Sequence, residues 1–236
     1  MIKANEGELF GARILIVDDD APMRAFVARN LEARGCIIHQ AANGLEGLVA
    51  VRQHQPDAVI LDIMMPQLDG YETCRRLRTF SEVPVVVLTA MGDEPDIVAA
   101  LDCGADDCLT KPFGVQELLA RLRSVLRRAA RDKTSSEQRV VEYRDLRVDL
   151  EARRIWMRGE ELNLTRTESG VLRFYAQHLN KTVPHPMVLA AVWGVGYETE
   201  THYVRLYVSR LRSKIEIEGE PPYFATEHGL GYRLGD

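Results

Sequence analysis

Five short runs of Val, Ile and Leu recur through the first half of the chain, and amphipathic segments separate them. The runs lie at residues 13–17, 36–41, 57–62, 83–90 and 108–110. Because apolar and polar residues do not alternate strictly within them, they are typical of strands buried on both faces. Such strands, separated by helices, predict an α/β fold with a doubly wound, five-stranded parallel sheet. Ligands of these sheets bind beyond the carboxyl ends of the strands.

The second half of the chain has a different pattern. Residues 129–139 are mostly polar, have no apolar period and predict a linker. Strand-like segments, three helical patterns and a hairpin-like segment follow in that order, which predicts a separate α+β domain over residues 140–236. The first domain is predicted to span residues 12–128, and a length of 236 residues suits two such domains.

The charge distribution limits the possible partners. Residues 1–128 carry 14 Lys and Arg against 19 Asp and Glu, whereas residues 129–236 carry 16 of each kind. General attraction to nucleic acid is therefore not indicated, and any DNA contact requires a local basic face.

Hydrophobicity and cysteine usage indicate the compartment. No apolar run approaches the roughly 20 residues that span a bilayer, and the first residues lack the apolar core of a signal peptide. We therefore predict a cytoplasmic protein that has no membrane partner. In a reducing compartment its cysteines are predicted to be small buried residues. These are Cys36, Cys74, Cys103 and Cys108.

Acidic residues and one lysine follow the predicted strands at one edge of the sheet. Asp18 and Asp19 follow the first strand and Asp62 ends the third, so three carboxylates should meet there. Such a group repels itself unless a cation is bound, and oxygen ligands favour Mg²⁺ over zinc. Thr89 ends the fourth strand and Lys111 follows the fifth. Mg²⁺ and a lysine can together neutralise a phosphoryl group, which is most of what phosphoryl transfer requires.

Four motifs carry these residues: LIVDDD, LDIMMPQLDG, VLTA and GADDCLTKPF. In this order and spacing they resemble the receiver domain of bacterial two-component response regulators. The resemblance implies that Asp62 accepts a phosphoryl group from a sensor histidine kinase and that the peptide before Pro112 is cis. The residues that it places around the phosphoryl group are the Mg²⁺ ligands Asp18, Asp19, Asp62 and Met64 (through its main-chain carbonyl), together with Thr89 and Lys111.

The position two residues after Asp62 separates this interpretation from another one. Haloacid-dehalogenase-like phosphatases also use an aspartate nucleophile, but they have a second aspartate at that position, where this chain has Met64. We therefore predict that the chain is not an enzyme. In receivers, the positions of Met64 and Met91 flank the path of the water that hydrolyses phosphoaspartate. Two apolar side chains there predict slow hydrolysis.

The resemblance also bears on signalling within the receiver. An aromatic residue three positions before the lysine commonly rotates on phosphorylation. Cys108 occupies that position and is interpreted as a buried strand residue, so displacement of the fourth helix is favoured as the switch. Related receivers dimerise through the fourth helix, fifth strand and fifth helix with crossed ion pairs. The interface residues implied here are Ile97, Asp106, Asp107, Glu117, Arg121 and Arg128.

The segment 201–216 has the pattern of an amphipathic helix. Val204, Val208, Leu211 and Ile215 recur at helical spacing and predict its buried face. The remaining positions mix polar groups and cations as a DNA-recognition helix does, although an ordinary solvated face fits the pattern equally well. Tyr203 and Tyr207 are predicted to flank this face. The candidate DNA contacts are His202, Arg205, Leu206, Ser209, Arg210, Arg212 and Lys214.

Longer motifs favour the DNA-binding interpretation. LNLTRTESGVLRF, VWG, VRLYVSRLRSKIE and ATEHGLGYRL resemble the winged-helix effector domain of the OmpR/PhoB class over residues 140–235. The resemblance implies that the final hairpin is a wing, that Gly229 and Gly231 permit its turn, and that His228 lies near its tip. HYVRLYV and SEVPVVVLTA resemble in particular the regulators of Kdp potassium-uptake operons.

These observations predict a two-domain transcriptional regulator that phosphorylation activates. Its expected partners are a sensor histidine kinase, a second copy of the chain and double-stranded promoter DNA, with RNA polymerase as a further candidate. Two alternatives remain: a DNA-binding regulator that acts independently of phosphorylation, and a signalling switch whose second domain binds protein.

Overall fold

The chain divides into two compact units, and the boundary falls between Ala130 and Arg131. A computed structural model describes residues 9–90, 94–131, 140–194, 196–197 and 199–236. A helix runs from Val115 to Arg131 and thus ends one residue beyond this boundary, so the predicted start of the linker at residue 129 falls within a helix. The rest of the predicted linker, residues 132–139, lies outside the described residues.

The first unit alternates strands and helices. Its strands are β1 (Arg13–Val17), β2 (Ile37–Ala41), β3 (Ala58–Asp62), β4 (Val85–Thr89) and β5 (Asp107–Thr110). Its helices are α1 (Ala21–Glu32), α2 (Gly44–His54), α3 (Gly70–Arg78), α4 (Glu94–Asp102) and α5 (Val115–Arg131).

The five strands form one parallel sheet in the order β2-β1-β3-β4-β5, which confirms the predicted doubly wound fold. Hydrophobic cores cover both of its faces. Leu15 and Leu61 lie in the core on one face, while their neighbours Ile16 and Ile60 lie in the core on the other. Strand residues are therefore apolar at successive positions, because each of them is buried whichever face it points to.

Short polar residues start the helices that follow β1, β2 and the loop after β3. Asp20, Asn43 and Asp69 each accept a hydrogen bond from the backbone N–H three residues later. A cap of this kind stabilises a helix by about 1 kcal/mol. Asp20 therefore has a structural role, whereas the two aspartates before it remain available at the end of β1.

The second unit is α+β, as predicted. Its strands are β6 (Val140–Tyr143), β7 (Leu146–Asp149), β8 (Ile155–Met157), β9 (Glu160–Glu161), β10 (Thr182–Pro184), β11 (Phe224–Glu227) and β12 (Gly231–Leu234). Its helices are α6 (Arg166–Gln177), α7 (His185–Val192) and α8 (Thr201–Ile215). An antiparallel sheet β6-β7-β8-β9 precedes the helices, and β10, β12 and β11 form a second antiparallel sheet.

Helix α8 is buried on a wider face than its aliphatic pattern indicates. Its four predicted core positions are all buried. Tyr203 and Tyr207 are buried as well, so the prediction that they flank the exposed face is wrong. Their rings lie 5.5 and 5.4 Å from the ring of Trp193, at the end of α7. Since α6 and α7 both pack on α8, two adjacent stripes of the helix are covered.

Two glycines shape the hairpin that joins β11 and β12. Gly229 lies in the turn at φ +75°, where a side chain would be strained. Gly231 has another role, because a Cβ atom there would lie 2.0 Å from the carbonyl oxygen of Val183 in β10. The first glycine permits the turn, as predicted, and the second permits close pairing of the strands.

Candidate phosphoacceptor site

Three carboxylates meet at the carboxyl ends of β1 and β3. One oxygen from each of Asp18, Asp19 and Asp62 lies within 4.8 Å of the other two. Asp18 and Asp62 are buried, while Asp19 is exposed. The cluster therefore borders solvent on its Asp19 side.

Lys111 reaches this cluster from the end of β5. Its Nζ atom lies 3.1 Å from Oδ2 of Asp18 and 2.9 Å from Oδ1 of Asp62. Burial by itself lowers the pKa of Lys111, but hydrogen bonds and charge attraction from the two carboxylates more than offset it, and the net pKa is raised. The lysine is therefore held in its charged form. The Lys111–Pro112 peptide is cis, as the resemblance implies.

One lysine does not balance the cluster. Burial raises the pKa of Asp18, and the neighbouring charge of Asp62 raises it further, whereas the Asp20 amide and Lys111 act in the opposite direction. The net pKa is above the usual value, which means that the ionised form of Asp18 is disfavoured. Carboxylates grouped in this way fit a hard divalent cation such as Mg²⁺, which would relieve the repulsion.

The backbone around Thr89 and Lys111 is tied together. Thr89 is buried at the end of β4, and its carbonyl oxygen accepts a hydrogen bond from the Lys111 amide at 2.6 Å. The ends of β4 and β5 are thus held beside each other. Lys111 and Thr89 consequently lie on the same edge of the sheet as Asp62.

Gly70 is a positioning residue that sequence reasoning missed. Its amide donates to the carbonyl oxygen of Ile63 at 2.9 Å, which closes the loop after β3. A Cβ atom at Gly70 would lie 2.2 Å from the carbonyl oxygen of Asp62. The only signal in the sequence was the glycine that ends the motif LDIMMPQLDG.

The second unit presents a mixed polar surface on α8. Arg205 and Ser209 are exposed, and His202, Leu206 and Arg210 are partly exposed. His228 is exposed in the turn between β11 and β12. A cleft of about 380 Å³ lies between the start of α8 and this hairpin. Its lining includes His185, Thr201, Arg205, Thr226, His228 and Tyr232.

Both units match known families. Residues 14–123 match the response regulator receiver domain, and residues 159–234 match the C-terminal domain of transcriptional regulatory proteins. The response regulator MprA of Mycolicibacterium vanbaalenii is 41% identical over 94% of this chain and 96% of its own length. The chain belongs to the OmpR/PhoB-type response regulators. These proteins regulate transcription in two-component systems in a phosphorylation-dependent way.

Other relatives agree with this family. The transcriptional regulatory protein KdpE of Mycobacterium tuberculosis is 41% identical over 94% of this chain and 98% of its own length. A solved structure of a RitR mutant has a TM-score of 0.76 at 25% identity, covering 95% of this chain and 99% of that one. DrrB of Thermotoga maritima, an OmpR/PhoB homologue, has a TM-score of 0.51 at 28% identity and covers 96% and 100%. Equal identity to MprA and KdpE does not single out the Kdp subfamily.

Two residues that were predicted to lie at a receiver interface are buried. Asp106 and Asp107 were predicted to meet arginines of a partner, but both are buried in their own protomer. Asp106 pairs with Arg78 at 2.9 Å, and Asp107 pairs with Arg121 at 3.3 Å. Buried carboxylates require such pairing, since an unpaired buried charge is costly. The prediction that the two aspartates face outward is therefore wrong.

The other predicted interface residues have different surroundings. Glu117 is exposed and lies 3.7 Å from Arg121, one turn further along α5. Ile97 is partly buried against the core beneath α4. The side chain of Arg128 lies outside the described residues. Ile97 and Glu117 stay candidates for a receiver interface.

Two of the predicted DNA contacts on α8 are engaged within the domain. Arg212 donates to the carbonyl oxygen of Phe224 and to the hydroxyl of Thr226, both at 2.8 Å. Lys214 pairs with the buried Glu168 at 2.7 Å. They join α8 to the hairpin and to the start of α6, respectively. Both side chains thus have partners within the domain, and Arg212 and Lys214 stay candidate DNA contacts, since Lys214 is exposed and Arg212 is partly exposed.

Cys108 is an ordinary core residue of β5. Burial raises the pKa of its thiol to about 12, and the charge of Asp107 acts in the same direction. Such a thiol is not a nucleophile near neutral pH. Its side chain packs in the core beneath α3 and α4, opposite Val87 in β4.

Met64 supplies a test of phosphoaspartate lifetime. Its side chain is 59% exposed in the loop just beyond Asp62, while Met91 lies outside the described residues. Met64→Asn is expected to speed phosphate release several-fold, because an amide can orient water where a thioether cannot. Phosphate release from the purified phosphorylated protein measures the rate, and the isosteric Met64→Leu serves as the control. Equal rates in all three proteins would contradict the shielding role.

Among the helices of the described residues, none is both long and apolar enough to cross a bilayer.

Proposed function

We propose that Asp62 accepts a phosphoryl group from a sensor histidine kinase and that this event promotes dimerisation and promoter binding. The observation that carries the proposal is the acidic cluster with its lysine. Three carboxylates lie within 4.8 Å of one another, and Lys111 contacts the two buried ones. This arrangement supplies a nucleophile, a metal site and a fixed positive charge at one edge of the sheet.

Each side chain has a distinct role in the transfer. An Asp62 carboxylate oxygen attacks phosphorus, and the imidazole of the kinase leaves. Lys111 exchanges its contact with Asp62 for the phosphoryl oxygens and neutralises part of their charge. Thr89 turns its hydroxyl toward the same oxygens. Asp18, Asp19, Asp62 and the Met64 carbonyl would hold Mg²⁺, which when bound supplies charge neutralisation for the phosphoryl group.

The second domain is proposed to read double-stranded promoter DNA. The exposed cation Arg205 suits a phosphate, and the mixed polar groups around it on α8 suit base edges. His228 at the tip of the hairpin suits a contact beside them. In a homodimer, binding of one DNA-binding domain to its half-site raises the effective concentration of the other domain at the second half-site. This compensates for weak binding by each domain alone. The proposal includes a cytoplasmic location and contact with RNA polymerase.

A binding assay tests the whole function. Protein treated with a small phosphodonor and Mg²⁺, and untreated protein, are compared for retention of genomic promoter fragments at two salt concentrations. Phosphorylation should tighten binding, and binding should weaken steeply with salt. Equal binding in both forms favours the phosphorylation-independent alternative. No salt-dependent binding in either form favours a second domain that binds protein.

The substitution Arg205→Ala tests whether Arg205 contacts a DNA phosphate. Removing one phosphate contact should weaken binding about equally across sequences and lower the slope of log affinity against log salt by about 1. Titrations at several salt concentrations give this slope. Arg29→Ala removes the same charge from an exposed position of α1 in the receiver and serves as the control. An unchanged slope in Arg205→Ala would remove this residue from the interface.

A further inference from the structure

A cleft of about 280 Å³ opens in the receiver beside the end of α1. Its lining includes Leu9, Ala33, Arg34 and Arg123. Leu9 precedes β1, whereas Asp18 of the acidic cluster follows that strand. The cleft and the phosphoacceptor site therefore lie at opposite ends of the same strand.

Hydrogen bonds hold the walls of this cleft together. The Gly11 amide donates to the carbonyl oxygen of Gly35 at 2.8 Å, which ties the segment before β1 to the segment after α1. The thiol of Cys36 donates to the carbonyl oxygen of Leu9, with Sγ 3.4 Å from that oxygen. The cleft therefore has a fixed frame of backbone on the side that carries Arg34.

Two positive charges line the cleft without an acidic partner. Arg34 and Arg123 are partly exposed, and neither forms an ion pair with another residue that the structure describes. Arg34 donates through Nη1 to the carbonyl oxygen of Asn30, which supplies no net negative charge. By contrast, Arg121, on the same helix as Arg123, pairs with Asp107. The cleft consequently concentrates positive charge that the described part of the receiver does not neutralise.

The Nε atom of Arg123 requires an acceptor. It is buried from solvent, and no group in the described part of the chain forms a hydrogen bond with it. Buried donors in folded proteins are nearly always paired, either with protein groups or with a bound water or ion. An oxyanion in the cleft would accept hydrogen bonds from Nε and from a terminal nitrogen of the same guanidinium. This is the paired geometry in which arginine binds phosphate.

We propose that this cleft binds a tetrahedral dianion, either inorganic phosphate or the phosphate group of a small phosphomonoester. A phosphate group carries about 1.5–2 negative charges at pH 7, which balances two guanidinium groups better than a single carboxylate does. A water molecule takes up about 30 Å³ in the liquid, so the cleft has room for a phosphate and several carbon atoms. Its apolar lining, Leu9 and Ala33, suits that carbon portion.

A bound dianion would link two helices of the receiver. Arg34 follows α1 and Arg123 lies in α5, so an anion held by both joins segments that are far apart in the sequence. A ligand that binds only the folded state stabilises that state. The site uses neither Asp62 nor Lys111, so the stabilisation is expected without Mg²⁺ and without phosphoryl transfer.

Thermal unfolding of the full-length chain tests the site. Unfolding is followed without Mg²⁺ and at constant ionic strength in phosphate, glycerol 3-phosphate, sulfate or acetate. Phosphate at ten times its Kd should raise the melting temperature of the receiver by about 3–6 °C. Glycerol 3-phosphate and sulfate should also raise it, whereas acetate should not. The lower Kd of phosphate or glycerol 3-phosphate identifies the free anion or a phosphomonoester as the better ligand.

Matched variants separate binding from the general stabilisation that phosphate and sulfate give by exclusion from protein surfaces. The Arg34→Gln, Arg123→Gln double variant should lose the part of the rise that exceeds this general effect. Arg29→Gln removes the same charge from an exposed position of α1 and should keep the full rise. Equal rises in the unaltered chain and the double variant, or an equal rise with acetate, would overturn the proposal.

A second measurement uses the unaltered chain and does not depend on the folding of a variant. Phenylglyoxal modifies accessible arginines, and mass spectrometry of the digested protein gives the rate at each position. Phosphate should slow the modification of Arg34 and Arg123 several-fold and leave the rate at Arg29 unchanged. If phosphate leaves the rates at both cleft arginines unaltered, the cleft does not bind the dianion and the proposal is wrong.

Discussion

Asp62→Asn is expected to abolish phosphoryl transfer to the chain. The amide keeps the size of the side chain but removes the charged oxygen that attacks phosphorus. Phosphate-affinity electrophoresis after incubation with a small phosphodonor and Mg²⁺ measures the effect, and the shifted band should disappear. The substitution also removes one of three clustered carboxylates, so the stabilisation of the fold by Mg²⁺ should shrink.

Asp57→Asn is the matched control for this prediction. Asp57 precedes the same strand, β3, but is 43% exposed and pairs with Arg13 instead of joining the cluster. It should be phosphorylated as the unaltered chain is. A shifted band that persists in Asp62→Asn would place the phosphoacceptor elsewhere.

Arg78→Ala is expected to destabilise the receiver by about 3–5 kcal/mol, the usual cost of breaking a buried ion pair by removing one partner. Arg78 and Asp106 are largely buried and lie 2.9 Å apart. Arg78 also donates to the carbonyl oxygens of Gly104 at 2.8 Å and Val83 at 2.7 Å. Urea denaturation followed by circular dichroism measures the loss.

Two variants show whether the loss comes from the buried charge. Arg13→Ala breaks an exposed pair with Asp57, in which both side chains are 43% exposed, and should cost only about 0–1 kcal/mol. Arg78→Met combined with Asp106→Leu removes both buried charges and should recover much of the stability lost in Arg78→Ala. Similar losses in Arg78→Ala and Arg13→Ala would show that burial does not set the cost.

The sequence was sufficient for the sheet and for the acidic cluster. The apolar runs around Ile16 and Ile60 already required a sheet covered on both faces. A strand that has only apolar side chains cannot expose either face to solvent without cost. Parallel strands place their carboxyl ends on one edge, so Asp18 and Asp62 had to approach each other whatever the details of packing. The loop closure at Gly70 was not predictable, since it depends on a contact with the Asp62 carbonyl.

Tertiary structure alone decided which partners the charged side chains have. Asp106 and Arg212 were predicted to lie at the surface, yet Asp106 pairs with Arg78 and Arg212 donates to the carbonyl oxygen of Phe224, and both partners come from other elements. The local pattern of apolar and polar residues specifies which helices and strands form and which face of each is apolar, because these properties depend on neighbours in the chain. The partner of a polar side chain depends on distant segments, and only the packed structure brings these together.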